Sequence, residues 1–210
     1  MRATVYYGRP WVVAGYLSTC NQTANNPWID QIIFMLREKK FSPGGNLIDL
    51  GAGPGTSILK TMTVLNLKEF TLVDSSKEAL KMVNEIYGRH LKFETVLADL
   101  QTEKIAVPSD YFDLATSFST MIYLDSIKNL IEETARVLKI GGFFGLNCLF
   151  HDDGCKKPHH HLTNFEVSFY DHCWKYFRQE IGKNRLQIVD YKDLERENEA
   201  HHRAVLLQKF

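Results

Sequence analysis

The stretch Asp49-Leu50-Gly51-Ala52-Gly53-Pro54-Gly55 decides the fold of this chain. The apolar residues at 46–48 precede it and predict a short buried strand, and a helix is expected from Thr56 onward. Glycines let the backbone turn tightly and let a ligand lie close against it. The first turn of the following helix offers unpaired N–H groups to a polar or anionic group. The order of strand, glycine turn and helix therefore predicts a cradle for a nucleotide-type cofactor.

The spacing of the three glycines separates two kinds of cofactor. A dinucleotide fingerprint, Gly-x-Gly-x-x-Gly, would place its third glycine at position 56, where this chain has threonine. Here the spacing is Gly-x-Gly-x-Gly, and Asp49 precedes it with a charge that repels a pyrophosphate but not a cationic or zwitterionic ligand. A nicotinamide-dependent oxidoreductase is therefore disfavoured. The pattern of one acid and three glycines resembles motif I of the class I S-adenosylmethionine (SAM)-dependent methyltransferases.

A second acid follows at a distance that suits a nucleoside cofactor. Residues 70–74 read as a second buried strand, which ends in Asp74, 19 residues after Gly55. An acid about 20 residues beyond the glycines is placed to accept hydrogen bonds from both ribose hydroxyls. The assignments of Asp49 and Asp74 thus follow from charge and spacing as well as from the resemblance.

Later segments resemble the same family in their order and spacing. An alternating pattern reaches Asp99, where the family has an acid that accepts a hydrogen bond from the adenine amino group; a strand-end cap is the alternative role for this residue. The Arg-Val-Leu-Lys-x-Gly-Gly step at 136–142 resembles the signature that precedes the family's fifth strand. The resemblance covers residues 27–150 well, and beyond the first two strands it implies strands at 93–100, 111–118 and 143–149.

The resemblance implies a set of cofactor-binding residues. It assigns the methionine end of SAM to Asp49 and the three glycines, the ribose to Asp74, and the flank of the base to the residue after it. Adenine would be read by Asp99 with the next residue, and a backbone group at the end of the fourth strand would close the floor. The implied cofactor-binding residues are Asp49, Gly51, Gly53, Gly55, Asp74, Ser75, Asp99, Leu100 and Ser117.

The alternation of strand and helix patterns predicts an α/β fold. We expect a seven-stranded, mostly parallel, doubly wound sheet with an antiparallel last strand and helices on both faces. Residues 27–210 would form the SAM-dependent methyltransferase domain, and the aromatic-rich residues 1–26 would either close over the site as a lid or pack on the sheet edge. A helix is expected over 163–181, and the final strand pair over 185–191 and 203–210.

Two helix starts are predicted from short polar residues. Ser75-Ser76-Lys77-Glu78 reads as a capping box, in which Ser75 would be the N-cap. Asp125 is expected to cap the helix that precedes the fifth strand.

Composition limits the classes of partner. The chain has 210 residues, 25 basic and 25 acidic, so it lacks the broad positive field that binds nucleic-acid backbones. No apolar run is long enough to cross a membrane, and no secretory signal pattern is visible. The four cysteines form no Cys-x-x-Cys pair and are expected to be reduced thiols in the cytoplasm.

The expected methyl acceptor is a small molecule. Residues 117–120, Ser-Phe-Ser-Thr, lack the Asn/Asp-Pro-Pro-aromatic motif typical of methyltransferases that act on nucleobase amino groups. A sulfonium is already a good leaving group, so alignment of the acceptor and exclusion of water would suffice for methyl transfer. A non-catalytic SAM-binding or partner-scaffold protein remains the alternative. Nothing in the sequence defines the oligomeric state.

No general base stands out from the sequence. His151 is a candidate because it lies nearest the end of the fifth strand, and Tyr123 and Tyr170 are alternatives. His151, Cys155 and His159 are spaced by four, as metal ligands on one helix face would be. Gly154 and Pro158 disfavour a continuous helix there, so we expect no bound metal.

Overall fold

The computed structural model describes residues 27–42, 44–55, 57, 61, 65–67, 69–152, 159–162, 168–197 and 200–210. The predicted lid at 1–26 lies outside these residues, and so does most of the helix expected from Thr56. Of that helix, Thr61 donates a backbone hydrogen bond to the carbonyl of Ser57 at 3.3 Å, which is a helical i to i−4 bond.

The described chain alternates strands and helices. Its helices are α1 (Pro27–Glu38), α2 (Lys77–Tyr87), α3 (Lys128–Val137) and α4 (Trp174–Lys183), with a 3₁₀ turn at Met121–Tyr123. Its strands are β1 (Asn46–Leu50), β2 (Glu69–Asp74), β3 (Glu94–Leu97), β4 (Phe112–Phe118), β5 (Leu138–His151), β6 (His159–Leu162), β7 (Ser168–Cys173), β8 (Leu186–Glu197) and β9 (Ala200–Lys209).

The strands form one twisted sheet whose main body has the order β3-β2-β1-β4-β5-β9-β8. The first five strands of this body are mutually parallel. Strand β9 lies between β5 and β8 and is antiparallel to both. The predicted α/β class, the mostly parallel sheet and the antiparallel last strand are therefore confirmed. Strands β6 and β7 add a hairpin beside the carboxyl end of β5.

Helices cover both faces of the sheet, as predicted. Helices α1 and α2 bury apolar side chains on one face, together with residues such as Leu72 and Leu206. Helices α3 and α4 bury theirs on the other face, around Phe150 and Phe177. In α1 the buried side chains recur three or four residues apart, which is the spacing of one helix face: Ile29, Ile32, Ile33 and Leu36.

The helix expected over 163–181 is wrong for its described first part. Residues Ser168–Cys173 form β7, and the helix begins only at Trp174. Strand β7 pairs in parallel with the end of β5, where Phe150 lies opposite His172. Pairing with an existing strand overrides the local helical pattern there, because strand formation depends strongly on tertiary context. The capping box at 163–166 lies outside the described residues.

Both predicted N-caps are corrected by one or two residues. The N-cap of α2 is Ser76, whose hydroxyl accepts from the backbone N–H of Ala79, rather than Ser75. The carboxylate of Asp74 accepts the N–H of Ser76 and holds that residue in an extended conformation. Helix α3 has Ile127 at its N-cap position without a side-chain cap, and the backbone N–H of Asp125 donates to the side chain of Gln101 instead.

Candidate functional site

The glycine turn after β1 is fixed to the neighbouring strand β2. The backbone N–H groups of Gly51 and Ala52 both donate to the carbonyl of Val73, at 2.8 and 3.0 Å. Gly51, Gly53 and Gly55 have φ angles of +79°, +53° and +80°. Side chains other than glycine rarely adopt this left-handed backbone region. The three glycines thus supply the turn that the sequence predicted at the carboxyl edge of the sheet.

The three glycines differ in the space that a Cβ atom would find at each position. A Cβ atom on Gly51 would come within 2.2 Å of the hydroxyl of Thr120, and one on Gly55 within 3.2 Å of Val83. Among the described residues, no atom lies within 4 Å of a Cβ placed on Gly53. The backbone of Gly53 therefore borders open space, as a turn must where a cofactor lies close against it.

Asp49 is buried beneath the turn and is held by two hydroxyl groups. Its Oδ1 accepts from Thr116 at 2.7 Å, and its Oδ2 accepts from Ser57 at 3.0 Å. Burial raises the pKa of Asp49 to about 6, the two hydroxyl hydrogen bonds lower it, and the nearby charge of Asp74 raises it further. A cation close to this carboxylate would favour its charged form, so the position suits a ligand with a positive group.

Asp74 bridges the glycine turn and the start of α2. Its Oδ2 accepts the backbone N–H of Gly53 at 2.8 Å, and its Oδ1 accepts that of Ser76, also at 2.8 Å. Burial raises the pKa of Asp74, and these backbone hydrogen bonds oppose the shift. A carboxylate has about four lone-pair sites. The backbone N–H of Ser75, which is half-buried, also bonds to this carboxylate. The three bonds leave acceptor capacity for a ligand hydroxyl.

Asp99 and Leu100 lie just beyond the end of β3. The carboxylate of Asp99 accepts the backbone N–H of Gln101 at 2.9 Å, and the backbone N–H of Asp99 donates to Glu103 at 2.7 Å. Leu100 is buried in the core. The local bond to Gln101 is the strand-end capping that the sequence left open as an alternative, and the reading of adenine by this pair stays a prediction.

The end of β4 is tied to the end of β1. Ser117 is fully buried, and its hydroxyl donates to the carbonyl of Leu50 at 2.9 Å. The sequence did not single out three other polar residues that complete this region: Thr116 on Asp49, Thr120 on Gly51, and Asn147, which accepts the backbone N–H of Ser119 at 2.9 Å. In the sequence, Thr116 and Asn147 could be recognised as polar residues near the carboxyl end of otherwise apolar strands, and Thr120 follows two residues after the end of β4.

The two candidates for a general base lie at the same edge of the sheet. His151 is the last residue of β5, is 2% exposed, and lies opposite Cys173 of β7 and Ala200 of β9. Tyr123 ends the 3₁₀ turn, and its ring lies 5.1 Å from that of Phe169 on β7. A catalytic role for either stays a prediction.

The β6–β7 hairpin lies against the turn that follows β4. A ring nitrogen of His172 lies 2.9 Å from the carbonyl oxygen of Met121, at the start of the 3₁₀ turn. Burial lowers the pKa of His172, although its bond to that carbonyl opposes the shift. The alternative base Tyr170 lies on the same strand and is half-buried. The hairpin therefore forms one wall beside the carboxyl ends of β4 and β5.

The buried guanidinium of Arg203 lies beside β8, near the carboxyl end of β5. The Arg203 guanidinium bonds to Asp193 at 2.6 Å and to Asp152 at 2.9 Å, and it lies 4.5 Å from the centre of the Trp174 ring. Its hydrogen bonds lower the pKa of Asp152. The cluster fixes Asp152, the residue that directly follows β5.

A groove of about 600 Å³ lies at the opposite, amino end of the sheet. Its walls include Asp113 and Lys139, which form an ion pair at 2.8 Å. Ligands of open α/β sheets bind at the carboxyl ends of the strands. We therefore place the candidate site at the glycine turn and not in this groove.

Among the described residues, no three His, Cys, Asp or Glu side chains are arranged to hold a metal ion. Of the spaced residues, Cys155 lies outside the described part of the chain, and so does the side chain of His159, whose backbone begins β6. No helix within the described ranges is long and apolar enough to span a membrane.

Comparison with known proteins agrees with this geometry. Residues 48–146 match the family model described as a methyltransferase domain. This range includes the glycine turn, Asp74 and strand β4. Over these residues, which are just under half of the 210, the chain is similar to methyltransferase domains. The chain is also similar to the chloroplastic 2-methyl-6-phytyl-1,4-hydroquinone methyltransferase of Arabidopsis thaliana, with 30% identity over 100 residues. That match covers 48% of this chain but only 29% of the Arabidopsis protein.

Solved structures share the fold of this chain. Geranyl diphosphate C-methyltransferase from Streptomyces coelicolor A3(2), in complex with Mg²⁺, geranyl diphosphate and S-adenosyl-L-homocysteine (SAH), has a TM-score of 0.69 and 14% identity. The alignment covers 86% of this chain and 79% of that one. The [4+2]-cyclase SpnF has a TM-score of 0.67 and 14% identity, covering 86% of this chain and 80% of its own. At these identities the likeness concerns the fold alone.

Proposed function

We propose that this methyltransferase transfers a methyl group from SAM to a small-molecule acceptor. One observation carries the proposal: the backbone of Gly53 borders open space while its N–H is held by Asp74 at 2.8 Å. This pairing supplies a surface that a nucleoside can approach and an acid within reach of its ribose. The residues thus fit the cofactor.

Each residue of the turn has a distinct role in the proposal. Asp74 would accept the ribose hydroxyls with its remaining lone pairs. Asp49, held by Thr116 and Ser57, would set the shape and charge of the methionine end. Asp99 and Leu100 would contact adenine, and Ser75 and Ser117 would flank the base and close the floor. The bound cofactor supplies a methyl group on a sulfonium, so alignment and exclusion of water are the remaining tasks of the chain.

The acceptor is proposed to be a small molecule and not a nucleic acid. The balanced charge of the chain, with 25 basic and 25 acidic residues, supports this choice. The relative from Arabidopsis is named for a hydroquinone, which is a small molecule. His151 or Tyr123 would serve as the base where an acceptor needs one.

Two further features belong to the same proposal. Residues 1–26 would act as the lid that excludes water from the acceptor. A cytoplasmic location is proposed because the four cysteines of the sequence form no Cys-x-x-Cys pair and Cys148 is a reduced thiol, which suits a reducing compartment. Fractionation of cells that express the tagged chain checks the location.

Calorimetric titration with SAM, SAH and NAD tests the cofactor assignment. We expect SAM and SAH to bind and NAD to give no signal. Asp74→Asn keeps only one carboxamide acceptor and should weaken SAH binding at least tenfold, a loss that corresponds to about 1.4 kcal/mol. The matched control is Asp110→Ala, which removes an exposed acid at the opposite end of the sheet and should bind SAH as the wild type does.

The outcomes separate the two candidate functions. Binding of SAM with transfer of its labelled methyl group to a component of a metabolite extract supports the enzyme. Binding without transfer at saturating SAM favours a non-catalytic SAM-binding or scaffold protein. The structural similarity to a [4+2]-cyclase illustrates that this fold does not imply methyl transfer. Binding of NAD alone would refute both.

A further inference from the structure

Asn147 is a buried polar residue in the apolar part of β5. It is 2% exposed, and its backbone lies opposite Phe118 on β4 and Ala204 on β9. A buried carboxamide is costly unless it makes hydrogen bonds. Its Oδ1 accepts the backbone N–H of Ser119 at 2.9 Å, and its Nδ2 lies 3.4 Å from the Ser119 hydroxyl. Both polar atoms of the side chain are thus directed at a single residue of the next loop.

Ser119 has an unusual backbone conformation. Its φ angle is +53°, in the left-handed region that a residue with a side chain enters at an energetic cost. Such a conformation persists where neighbouring contacts hold it in place. Among the described contacts, the backbone N–H of Ser119 donates its hydrogen bond to Oδ1 of Asn147. The shape of the loop after β4 therefore depends on a side chain from β5.

The next residue, Thr120, carries this loop onto the glycine turn. Its hydroxyl lies 3.2 Å from the carbonyl oxygens of both Gly51 and Phe118 and can donate to either. The same hydroxyl occupies the place that a Cβ of Gly51 would need, at 2.2 Å. Close packing of this kind transmits a displacement from one group to the next, because protein interiors have few voids.

We propose that Asn147 is a positioning residue of the cofactor site. It holds Ser119 in its left-handed conformation, Ser119 places Thr120 against Gly51, and Thr120 keeps the glycine turn in the shape that accepts SAM. Asn147 acts through these residues and is not proposed to touch the cofactor or the acceptor. This inference rests on the proposed function, since it concerns the same site.

The inference predicts a loss of affinity in Asn147→Ala. Without an acceptor for its N–H, Ser119 is expected to leave the left-handed region, and Thr120 to withdraw from Gly51. We expect the dissociation constant for SAH to rise about tenfold, the scale of one lost buried hydrogen bond. Thr120→Val keeps the shape of its side chain but loses the hydroxyl bond, and it should raise the constant less.

A double-mutant cycle distinguishes positioning from a general structural role. If Asn147 acts through Thr120, the combined variant Asn147→Ala with Thr120→Val should bind SAH no worse than Asn147→Ala alone. The matched control is Thr134→Val, which removes a buried hydroxyl bond of 2.6 Å to Leu130 within α3, away from the turn. Its effect on SAH affinity should be absent, and that of Asn147→Ala should be unchanged when the two are combined.

Asn147→Asp provides a conservative rescue. A carboxylate of the same shape still accepts the N–H of Ser119, but a buried charge lowers stability. Relative to Asn147→Ala, we therefore expect tighter SAH binding together with a lower Tm. A residue that only supports the fold would lose affinity and Tm together. That parallel loss in Asn147→Asp would overturn the inference.

Hydrogen exchange of the ligand-free protein gives a readout that needs no binding. Amides in the peptides that cover 49–55 and 117–123 should exchange faster in Asn147→Ala than in the wild type, and at the wild-type rate in Thr134→Val. Unchanged exchange at 49–55, or an unchanged SAH dissociation constant, would overturn the positioning role while leaving the proposed function intact. A folded wild type that does not bind SAH would overturn the proposed function and this inference with it.

Discussion

The Oδ2 atom of Asp74 accepts a hydrogen bond from the backbone N–H of Gly53 at 2.8 Å. The bond joins the end of β2 to the middle of the glycine turn, and the other oxygen of the same carboxylate holds the N–H of Ser76. One acid therefore fixes the turn and the start of α2 together. A turn that is held in this way loses less conformational freedom when a ligand binds, which favours affinity.

Alanine at two of the glycines should lower the free energy of unfolding by different amounts. At Gly53, a Cβ meets no atom of the described residues within 4 Å, so Gly53→Ala should cost only the strain of the left-handed backbone, about 1–2 kcal/mol of unfolding free energy. The same methyl group enters the space proposed for the cofactor, so SAH affinity should fall at least tenfold. At Gly51, the Cβ would lie 2.2 Å from the Thr120 hydroxyl, so overpacking adds to the backbone strain.

Urea unfolding and calorimetric titration check these two variants. Gly51→Ala is expected to lose about 2–4 kcal/mol of unfolding free energy, clearly more than Gly53→Ala. Equal stability losses, or a Gly53→Ala variant that binds SAH normally, would contradict the assignment of open space above Gly53.

The buried carboxylate of Asp49 should make stability depend on pH. Its pKa is raised from 3.8 to about 6, chiefly by burial. Between these values the folded state retains a proton that the unfolded state has lost. The free energy of unfolding should therefore fall as pH rises through this range, with a slope of up to about 1.4 kcal/mol per pH unit, and level off above pH 6. Urea unfolding at a series of pH values measures the slope.

The same acid should make SAM binding depend on pH in the opposite direction. SAM carries a positive charge that favours the ionised carboxylate, so its affinity should rise with pH and level off near pH 6. Calorimetry between pH 4.5 and pH 8, a range of about two units around this value, measures the effect. In Asp49→Asn the dependence should become shallower, with the remainder due to Asp74. An identical pH profile in the variant would rule out Asp49 as its source.

The cap of α2 provides a test of the corrected helix start. Ser76→Ala removes the hydroxyl that accepts the N–H of Ala79 at 3.1 Å and should cost about 1 kcal/mol of unfolding free energy. Ser126→Ala is the matched control near the start of α3, because the Ser126 hydroxyl is exposed and its contact with the N–H of Lys128 is long, at 3.4 Å. We expect a loss below about 0.5 kcal/mol there. Chemical denaturation compares the two.

The sequence was sufficient where local pattern and fold agree. Strands β1 and β2 are apolar runs that lead into a glycine and end in an acid, respectively, and the parallel order of the sheet follows from the alternation of strands and helices. The positions of Asp49 and Asp74 follow from the same pattern. Charge and spacing could predict these residues because each is defined by its distance from the glycines.

The sequence was insufficient where contacts between distant segments decide the structure. The strand at Ser168–Cys173 exists because β5 offers an edge to pair with, and no local signal opposes the helix expected there. The roles of Asn147 and Thr120 depend on how β5 approaches the loop after β4. The sequence around a single polar residue in a strand does not indicate which loop its side chain will contact.

The Arg203 cluster should contribute more to stability than exposed ion pairs do. The Arg203 side chain is 6% exposed and bonds to Asp152 and Asp193, which are 54% and 39% exposed. Arg203→Met leaves two neighbouring carboxylates without their cation and should cost about 1–3 kcal/mol of unfolding free energy, less than a fully buried pair because water reaches both acids.

Arg203→Lys and Lys81→Met separate the reasons for this loss. An ammonium group restores the charge, but it lacks the planar fork that bonds to both carboxylates and stacks on Trp174, so Arg203→Lys should recover only part of the stability. Lys81 pairs with Glu85 at 3.7 Å where both side chains are exposed, and Lys81→Met should change the unfolding free energy by less than about 0.5 kcal/mol. Urea unfolding should therefore rank the variants Arg203→Met, Arg203→Lys and Lys81→Met in decreasing order of loss. Full recovery in Arg203→Lys would mean that charge alone, and not the geometry of the guanidinium, joins the end of β5 to β8.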